Sequence, residues 1–270
     1  TGNVKISSSH RGTALTTVDA SVAGEKVAVG AAVGVNIILD STETIINRDI
    51  ESDGAFTLSA STGQYSKMDI TASAKGNKSE DETKEGEAAP RSSDNEAQAQ
   101  ANAATGGTKT LPKANDSLSD ANDKSLEKTG DKDGNNGTGS SSVGVAAAIG
   151  VNWVISENRA VISDNISVTA GGALEVKAES ETDLTTKVTG AALSFESDTG
   201  VGAAVGLNVG MVTNEAIIGS DIVVDAGNIS IQAVTPEEKT NDFTVWALAI
   251  GGGKDNGVAG SAGINVKAMD

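Results

Sequence analysis

Few residues of this 270-residue chain belong to the types that make or break bonds. Cysteine is absent and the only histidine is His10, so neither a zinc site of the usual ligands nor a Ser-His-Asp triad is available. We expect His10 to be a turn residue. The arginines are scattered, at Arg11, Arg48, Arg91 and Arg159, and no cluster of acids and bases recurs with them. The sequence therefore predicts a chain that is not an enzyme.

One acidic stretch loosely resembles a calcium loop. The segment "DKDGNNG" at 131–137 places Asp131, Asp133 and Asn135 at alternate positions. Its glycine comes early and no glutamate follows at the closing position, as the calcium loop of an EF-hand requires. We interpret the stretch as a solvated polar loop, and we predict no metal or cofactor for the chain.

Composition restricts both the fold and the partners. Aromatic residues make up 2% of the chain and glycine occurs 32 times, so small and β-branched side chains must form thin, stacked sheets instead of a wide core. The net charge of −17 repels phosphate backbones and anionic headgroups, so we expect no nucleic acid as a partner. No apolar run approaches the roughly 20 residues of a membrane helix, and we expect no membrane insertion.

A nine-residue phrase occurs four times. The copies read "VGAAVGVNI" at 29–37, "VAAAIGVNW" at 145–153, "VGAAVGLNV" at 201–209 and "VAGSAGINV" at 258–266. Their asparagines, Asn36, Asn152, Asn208 and Asn265, are separated by 116, 56 and 57 residues. A second phrase keeps this register, since Ile46, Ile162 and Ile218 are separated by 116 and 56 residues. The spacing indicates tandem repeats of about 56 residues.

Apolar residues alternate within the phrase, which predicts a strand. In the first copy Val35 and Ile37 fall on one face, and Gly34 and Asn36 on the other. We expect the Val, Ile and Leu side chains to stack inside, with Gly and Ala as a flat outer strip on which a second rod would dock. The asparagines would lie on this strip or its edge, in a ladder of amide hydrogen bonds that fixes the register. A ligand-binding row of asparagines is the alternative.

The repeats predict an all-β fold, a parallel β-helix (β-solenoid) with strands about 4.8 Å apart. If one coil takes about 19 residues, each repeat forms about three coils and the rod is roughly 50 Å long. Two longer coils per repeat fit the spacing as well.

The chain divides into three parts. Residues 1–76 hold the end of one repeat and a full repeat, and residues 140–270 hold two repeats and the start of the next. Residues 77–139 contain no Val, Ile or aromatic residue but 13 acids and 8 bases, so we predict a disordered acidic insertion. The chain begins in mid-repeat at Thr1. We expect a segment of a longer protein, with more copies on both sides and a tendency to associate end to end.

The recurring "VGAAVGVN" unit, the Gly-punctuated strands and the absence of cysteine resemble the β-strand-repeat passengers of giant bacterial surface proteins, of the filamentous-haemagglutinin and leukotoxin-like adhesin type. The resemblance implies secretion through an outer membrane and display at the bacterial cell surface. It implies a structural and adhesive rod segment whose partners are neighbouring repeats and a host-cell or surface receptor or glycan. A carbohydrate-binding or polysaccharide-cleaving β-helix domain and a phage-type fibre component are the alternatives.

Overall fold

The structure, a computed structural model, describes residues 2–24, 27–76, 143–194, 199–253 and 256–270. The predicted insertion at 77–139 lies outside the described residues. In the described part every regular element is a strand, and all strand pairs are parallel. The expectation of an all-β chain with parallel strands is therefore confirmed.

Ten strands form two sheets. They are β1 (Val4–Gly24), β2 (Val27–Ile46), β3 (Ile50–Ser52), β4 (Phe56–Gly76), β5 (Val143–Ile162), β6 (Ser167–Ser194), β7 (Thr199–Ile218), β8 (Val223–Val234), β9 (Phe243–Gly253) and β10 (Asn256–Met269). Sheet I contains β1, β3, β4, β6, β8 and β9, and sheet II has the order β2-β5-β7-β10. The chain alternates between the two sheets, so successive strands of one sheet are separated by a strand of the other.

The copies of the phrase pair directly with one another in sheet II. Asn36 pairs with Asn152, Asn152 with Asn208, and Asn208 with Asn265. A spacing of 56 residues therefore adds one position to each sheet, and the expected coil of about 19 residues is wrong. Four strands in a sheet span about 14 Å, well short of the expected rod of about 50 Å.

The coil is long because its strands are long. The phrase and the isoleucine segment after it, expected as separate short strands, form one strand of 20 residues in β2, β5 and β7. Polar residues such as Asp40 and Thr42 lie between the two segments, but they continue the alternation of buried and exposed positions. They are therefore polar residues within a strand, and the chain does not turn there.

The turns that follow these strands also stack. The backbone N–H of Ser163 donates to the carbonyl of Ile46 at 2.8 Å, and the N–H of Gly219 donates to the carbonyl of Ile162 at 2.8 Å. Asn165 and Asp221 occupy corresponding turn positions with φ of 57° and 53°. Short polar side chains tolerate this left-handed conformation, which explains their place in the turn.

The two sheets pack face to face around a core that changes in character along the strands. Near the turn at residues 47–49 and its counterparts the core holds large side chains, including Phe56, Leu58, Ile162 and Leu174. Towards the other end of the strands it holds mainly alanines, which are Ala28, Ala32, Ala72, Ala74, Ala146, Ala148, Ala192 and Ala204. The sheets therefore approach more closely at the alanine-rich end.

Glycine permits this close approach. A Cβ atom on Gly190 in sheet I would overlap the carbonyl oxygen of Ala203 in sheet II, and a Cβ on Gly202 would overlap the carbonyl oxygen of Ile250. Backbone atoms cannot rotate away as the end of a side chain can, so these positions exclude any side chain larger than hydrogen.

The expected inside and outside of the phrase are reversed. Ala32 is 2% exposed and Asn36 is 7% exposed, whereas Val35 is 54% and Ile37 is 68% exposed. The Gly and Ala strip, expected to be outside, is the inner face of sheet II, because only small residues fit where the sheets converge. The larger Val, Ile and Leu side chains, expected inside, point outward.

Candidate interaction surface

The outward side of sheet II is a continuous apolar surface, which we call the apolar face. It consists of the odd-numbered residues of 27–39, 143–155 and 201–211 and the even-numbered residues of 258–268. Every member is Val, Ile, Leu, Met, Ala, Gly or Trp. Trp153 has the one polar side-chain group among these described residues, its indole N–H.

Members of the apolar face align in rows that cross the four strands. One row is Val35, Val151, Leu207 and Ile264, and another is Val33, Ile149, Val205 and Ala262. The row of Ala31, Ala147, Ala203 and Gly260 separates the Val33 row from the row that begins with Val29. Because its side chains are short, this row forms a shallow groove between two ridges of β-branched residues.

A charged row marks one boundary of the apolar face. Glu43, Arg159 and Glu215 are aligned on β2, β5 and β7. The Arg159 guanidinium lies 2.8 Å from Glu215 and 3.4 Å from Glu43, so one cation pairs with an anion on each neighbouring strand. These side chains are 38–41% exposed, which limits the contribution of each pair to about 0–1 kcal/mol.

The outward side of sheet I has the opposite chemistry. Lys177 Nζ lies 2.7 Å from Glu179 Oε1, and Lys239 Nζ lies 3.0 Å from Glu181 Oε1. The hydrogen bond to Glu179, with the nearby carboxylates, raises the pKa of Lys177 above its ordinary value, although partial burial opposes the shift. The molecule is therefore amphipathic at the level of whole sheets, with a charged side and an apolar side.

The four predicted ladder asparagines lie on the inner face of sheet II, and their hydrogen bonds cross to sheet I. Asn208 Nδ2 donates to the carbonyls of Leu184 at 3.2 Å and Thr244 at 2.9 Å, and its Oδ1 accepts from the Thr186 hydroxyl at 2.5 Å. Asn265 Nδ2 donates to the Phe243 carbonyl at 3.0 Å. These amides therefore clamp one sheet to the other.

The two remaining ladder asparagines share one hydroxyl of sheet I. Asn36 Nδ2 donates to Ser66 Oγ at 3.1 Å, and Ser66 Oγ donates to Asn152 Oδ1 at 2.7 Å. Thr16 donates to Asn36 Oδ1. The amides are linked through Ser66 and not by the amide-to-amide bonds that the sequence suggested.

The predicted isoleucine row lies in the large-residue part of the core. Ile46 pairs with Ile162, and Ile162 pairs with Ile218. Ile46 is 6% exposed, Ile162 is fully buried, and Ile218 is partly buried against the same cluster.

A second asparagine row was missed in the sequence. Asn158 pairs with Asn214 in the sheet, and its Nδ2 donates to Asn214 Oδ1 at 2.8 Å, an amide-to-amide bond along the stack. The Asn214 amide also donates to the carbonyls of Ala178 at 3.2 Å and Val234 at 3.1 Å. The signal was available, because these two asparagines are also 56 residues apart.

A band of buried polar groups lies next to these asparagines. In the described part of the chain, the side-chain atoms in it that have no hydrogen-bond partner are Thr42 Oγ1, Gln64 Oε1 and Nε2, Ser156 Oγ, Asn158 Oδ1, Ser180 Oγ and Thr182 Oγ1. Gln64 is 2% exposed, so its whole amide is removed from bulk water. The interior thus has two apolar clusters with a polar band between them.

The residues considered for chemistry do not form a common site. His10, expected in a turn, lies in β1, and its Nε2 is 3.3 Å from Asp40 Oδ1, while the Thr62 hydroxyl donates to Asp40 Oδ2 at 2.6 Å. Asp40 thus ties β1 and β4 to β2. Among the described residues, no group of three or more His, Cys, Asp or Glu side chains is placed to hold a metal ion, and no helix is long and apolar enough to cross a membrane.

The geometry therefore assigns the strongest functional signal to a surface and not to a reactive centre. Comparison with known proteins adds no assignment, because no family model, curated protein or solved structure matches the chain.

Proposed function

We propose that this chain is a non-catalytic rod segment, a β-solenoid of tandem repeats of about 56 residues, in a secreted filamentous protein displayed at a bacterial surface. The observation that carries the proposal is the register of sheet II, in which four copies of one phrase pair residue by residue. A repeat that pairs with itself in this way can be added without limit, which is the property that a stalk requires.

The edges of the sheets support the same proposal. In the described residues, β2 and β10 each pair with one neighbour in sheet II, and β1 pairs with one neighbour in sheet I. A depression of about 540 Å³ also opens on the large-residue core beside β1 and β2, and Val4, Ile6 and Ile46 line it. Stacking one more repeat there would pair the free edges and cover these side chains.

Insertion of one extra repeat tests the solenoid. We expect a second copy of residues 143–198, placed after residue 198, to add one strand to each sheet and to raise the free energy of unfolding, because repeat stability grows with each added interface. Urea unfolding followed by circular dichroism measures this. The control duplicates residues 143–166 alone, which breaks the alternation between sheets and should prevent folding. If both insertions unfolded the protein equally, the solenoid would be excluded.

Surface display is supported by the sequence resemblance, and it has a direct test. Antibodies raised against the chain should label intact cells of the producing bacterium as strongly as permeabilised cells. Labelling that required permeabilisation would contradict display. Binding of the purified chain to host cells or to arrayed glycans would then identify the adhesive partner.

A polysaccharide-binding or polysaccharide-cleaving domain is the second candidate, and the depression beside β1 and β2 is the observation that favours it. Arg48, Asp49 and Glu51 lie on its wall with the apolar residues, so it offers both signs of charge in one concave place. The candidate predicts that Arg48→Ala and Glu51→Gln abolish binding or cleavage of an acidic polysaccharide. A rod segment predicts no such loss.

A further inference from the structure

We propose that the apolar face binds a second copy of this chain, face to face, to form a two-fold symmetric pair of sheets. The inference does not depend on surface display or on adhesion, because it rests on the outward side chains of β2, β5, β7 and β10 alone. The interior Gly and Ala strip, from which the sequence suggested docking, has no part in it.

The size of the apolar face matches a stable interface. Residues 27–39 extend over about 43 Å at roughly 3.3 Å per residue, and four strands about 4.8 Å apart span close to 19 Å with their side chains. The face therefore measures roughly 800 Å², above the 300–600 Å² of the largest apolar patch on a typical monomer. A pair of such faces buries about 1,600 Å² in total, which is the standard size of a specific interface.

The shape of the apolar face suits a copy of itself. The groove of the Ala31 row lies beside the ridge of the Val33 row, two residues away on the same strands. A two-fold axis in the plane of the interface brings the ridge of one copy over the groove of the other, and the reverse contact follows by symmetry. Sheets about 10 Å apart pack by this kind of interdigitation.

The charges favour this occupant over two others. Packing against sheet I of another copy would bury Lys177 and Glu179 beneath apolar side chains, which is costly for charged groups. An anionic bilayer would need basic residues beside the face, but the adjoining charged row holds two glutamates and one arginine. A face-to-face pair keeps both charged sides in water.

Single cysteines placed on the two sides of the molecule test the proposal directly, because the natural chain contains none. Val205 lies near the centre of the apolar face and is 40% exposed, and Tyr65 lies on the outward side of sheet I and is 42% exposed. In the whole chain, Val205→Cys should be cross-linked into a covalent dimer by a bismaleimide that spans about 15 Å, since facing sheets are about 10 Å apart. Tyr65→Cys should stay monomeric under the same conditions.

Charge substitution gives the second arm, measured by sedimentation over a range of concentrations. The natural chain should reach a limiting dimer, and Ile149→Lys, which places two lysines in one apolar interface, should weaken dimerisation by about 100-fold or more. Tyr65→Lys, the matched control, should leave it unchanged, and circular dichroism checks that each variant is folded. If Ile149→Lys does not fold, the cysteine arm decides the question.

Three results would overturn the proposal. A natural chain that stays monomeric at all concentrations would mean that the face is covered by other means, such as another part of the chain. Oligomers that grow beyond the dimer and are unaffected by Ile149→Lys would assign association to the strand edges. A monomer that floats with phosphatidylcholine vesicles, and loses this property in Ile149→Lys, would assign the face to lipid.

Discussion

Gly190→Ala is expected to lower the free energy of unfolding by about 1–3 kcal/mol, because the new methyl group would overlap the carbonyl oxygen of Ala203 in the facing sheet. Both residues lie in central strands, β6 and β7, so the clash can be relieved only by moving one sheet away from the other. Gly190→Val should cost more, since it adds two further carbons at the same place. Urea unfolding monitored by circular dichroism measures both losses.

The matched control is Gly63→Ala, in the central strand β4 of the same sheet. The nearest atom to a Cβ at this position is Nε of Arg11 at 3.4 Å, on a flexible side chain. Alanine there should be neutral or stabilise by about 0.4–1 kcal/mol, because it reduces the freedom of the unfolded chain. Equal losses for Gly63→Ala and Gly190→Ala would show that strand glycines matter for their backbone and not for the spacing of the sheets.

The spacing of the sheets also explains what the sequence could predict. Register was readable, because identical residues recur at 116, 56 and 57 and parallel stacking places them side by side. The inner face was not, because both faces of the phrase are apolar and alternation defines two faces without saying which is buried. Large side chains normally fill a core, so Val35 and Ile37 were placed inside. Sheets that nearly touch reverse that preference.

One clue to the correct face was present in the sequence. Asn36 and Ile46 are ten residues apart, so in a single continuous strand they must lie on the same face. Placing Ile46 inside and the asparagine outside was possible only with a break between them. The polar residues at 40–44 suggested that break, but Thr44 is 6% exposed and bonds across the sheets to the Ser59 carbonyl at 2.9 Å. A strand with a polar middle was read as two strands.

The same reading hid the most distinctive surface of the molecule. With the valines inside, the sequence predicted chemically dull outer faces, and no interface appeared. With the valines outside, a protein of net charge −17 has one side with no charge over about 800 Å². Acidic residues elsewhere keep the chain soluble, and the uncharged side gives association a direction. The charge of the whole chain therefore says little about how this surface binds.

Gln64→Met is expected to raise the free energy of unfolding by about 1–3 kcal/mol, whereas Asn208→Leu should lower it by a similar amount. Each change replaces a buried amide with a hydrocarbon of similar size. The two amides differ in their partners, since Asn208 makes three hydrogen bonds to sheet I and Gln64 makes none to the described residues. Removing an unpaired amide relieves its cost of desolvation, but removing Asn208 leaves the buried Thr186 hydroxyl without its acceptor.

Thermal and urea unfolding of both variants, compared with the natural chain, measures the opposite signs. Asn36→Leu is the graded control, because Asn36 lies in the same row but at 7% exposure on the edge strand β2, where water can replace part of the lost bonding. Its loss should fall below that of Asn208→Leu. If Gln64→Met destabilised the protein instead, the polar band would have to hold ordered water that bonds to Gln64 and its neighbours Thr182 and Ser180, because only a bonded amide contributes stability when buried.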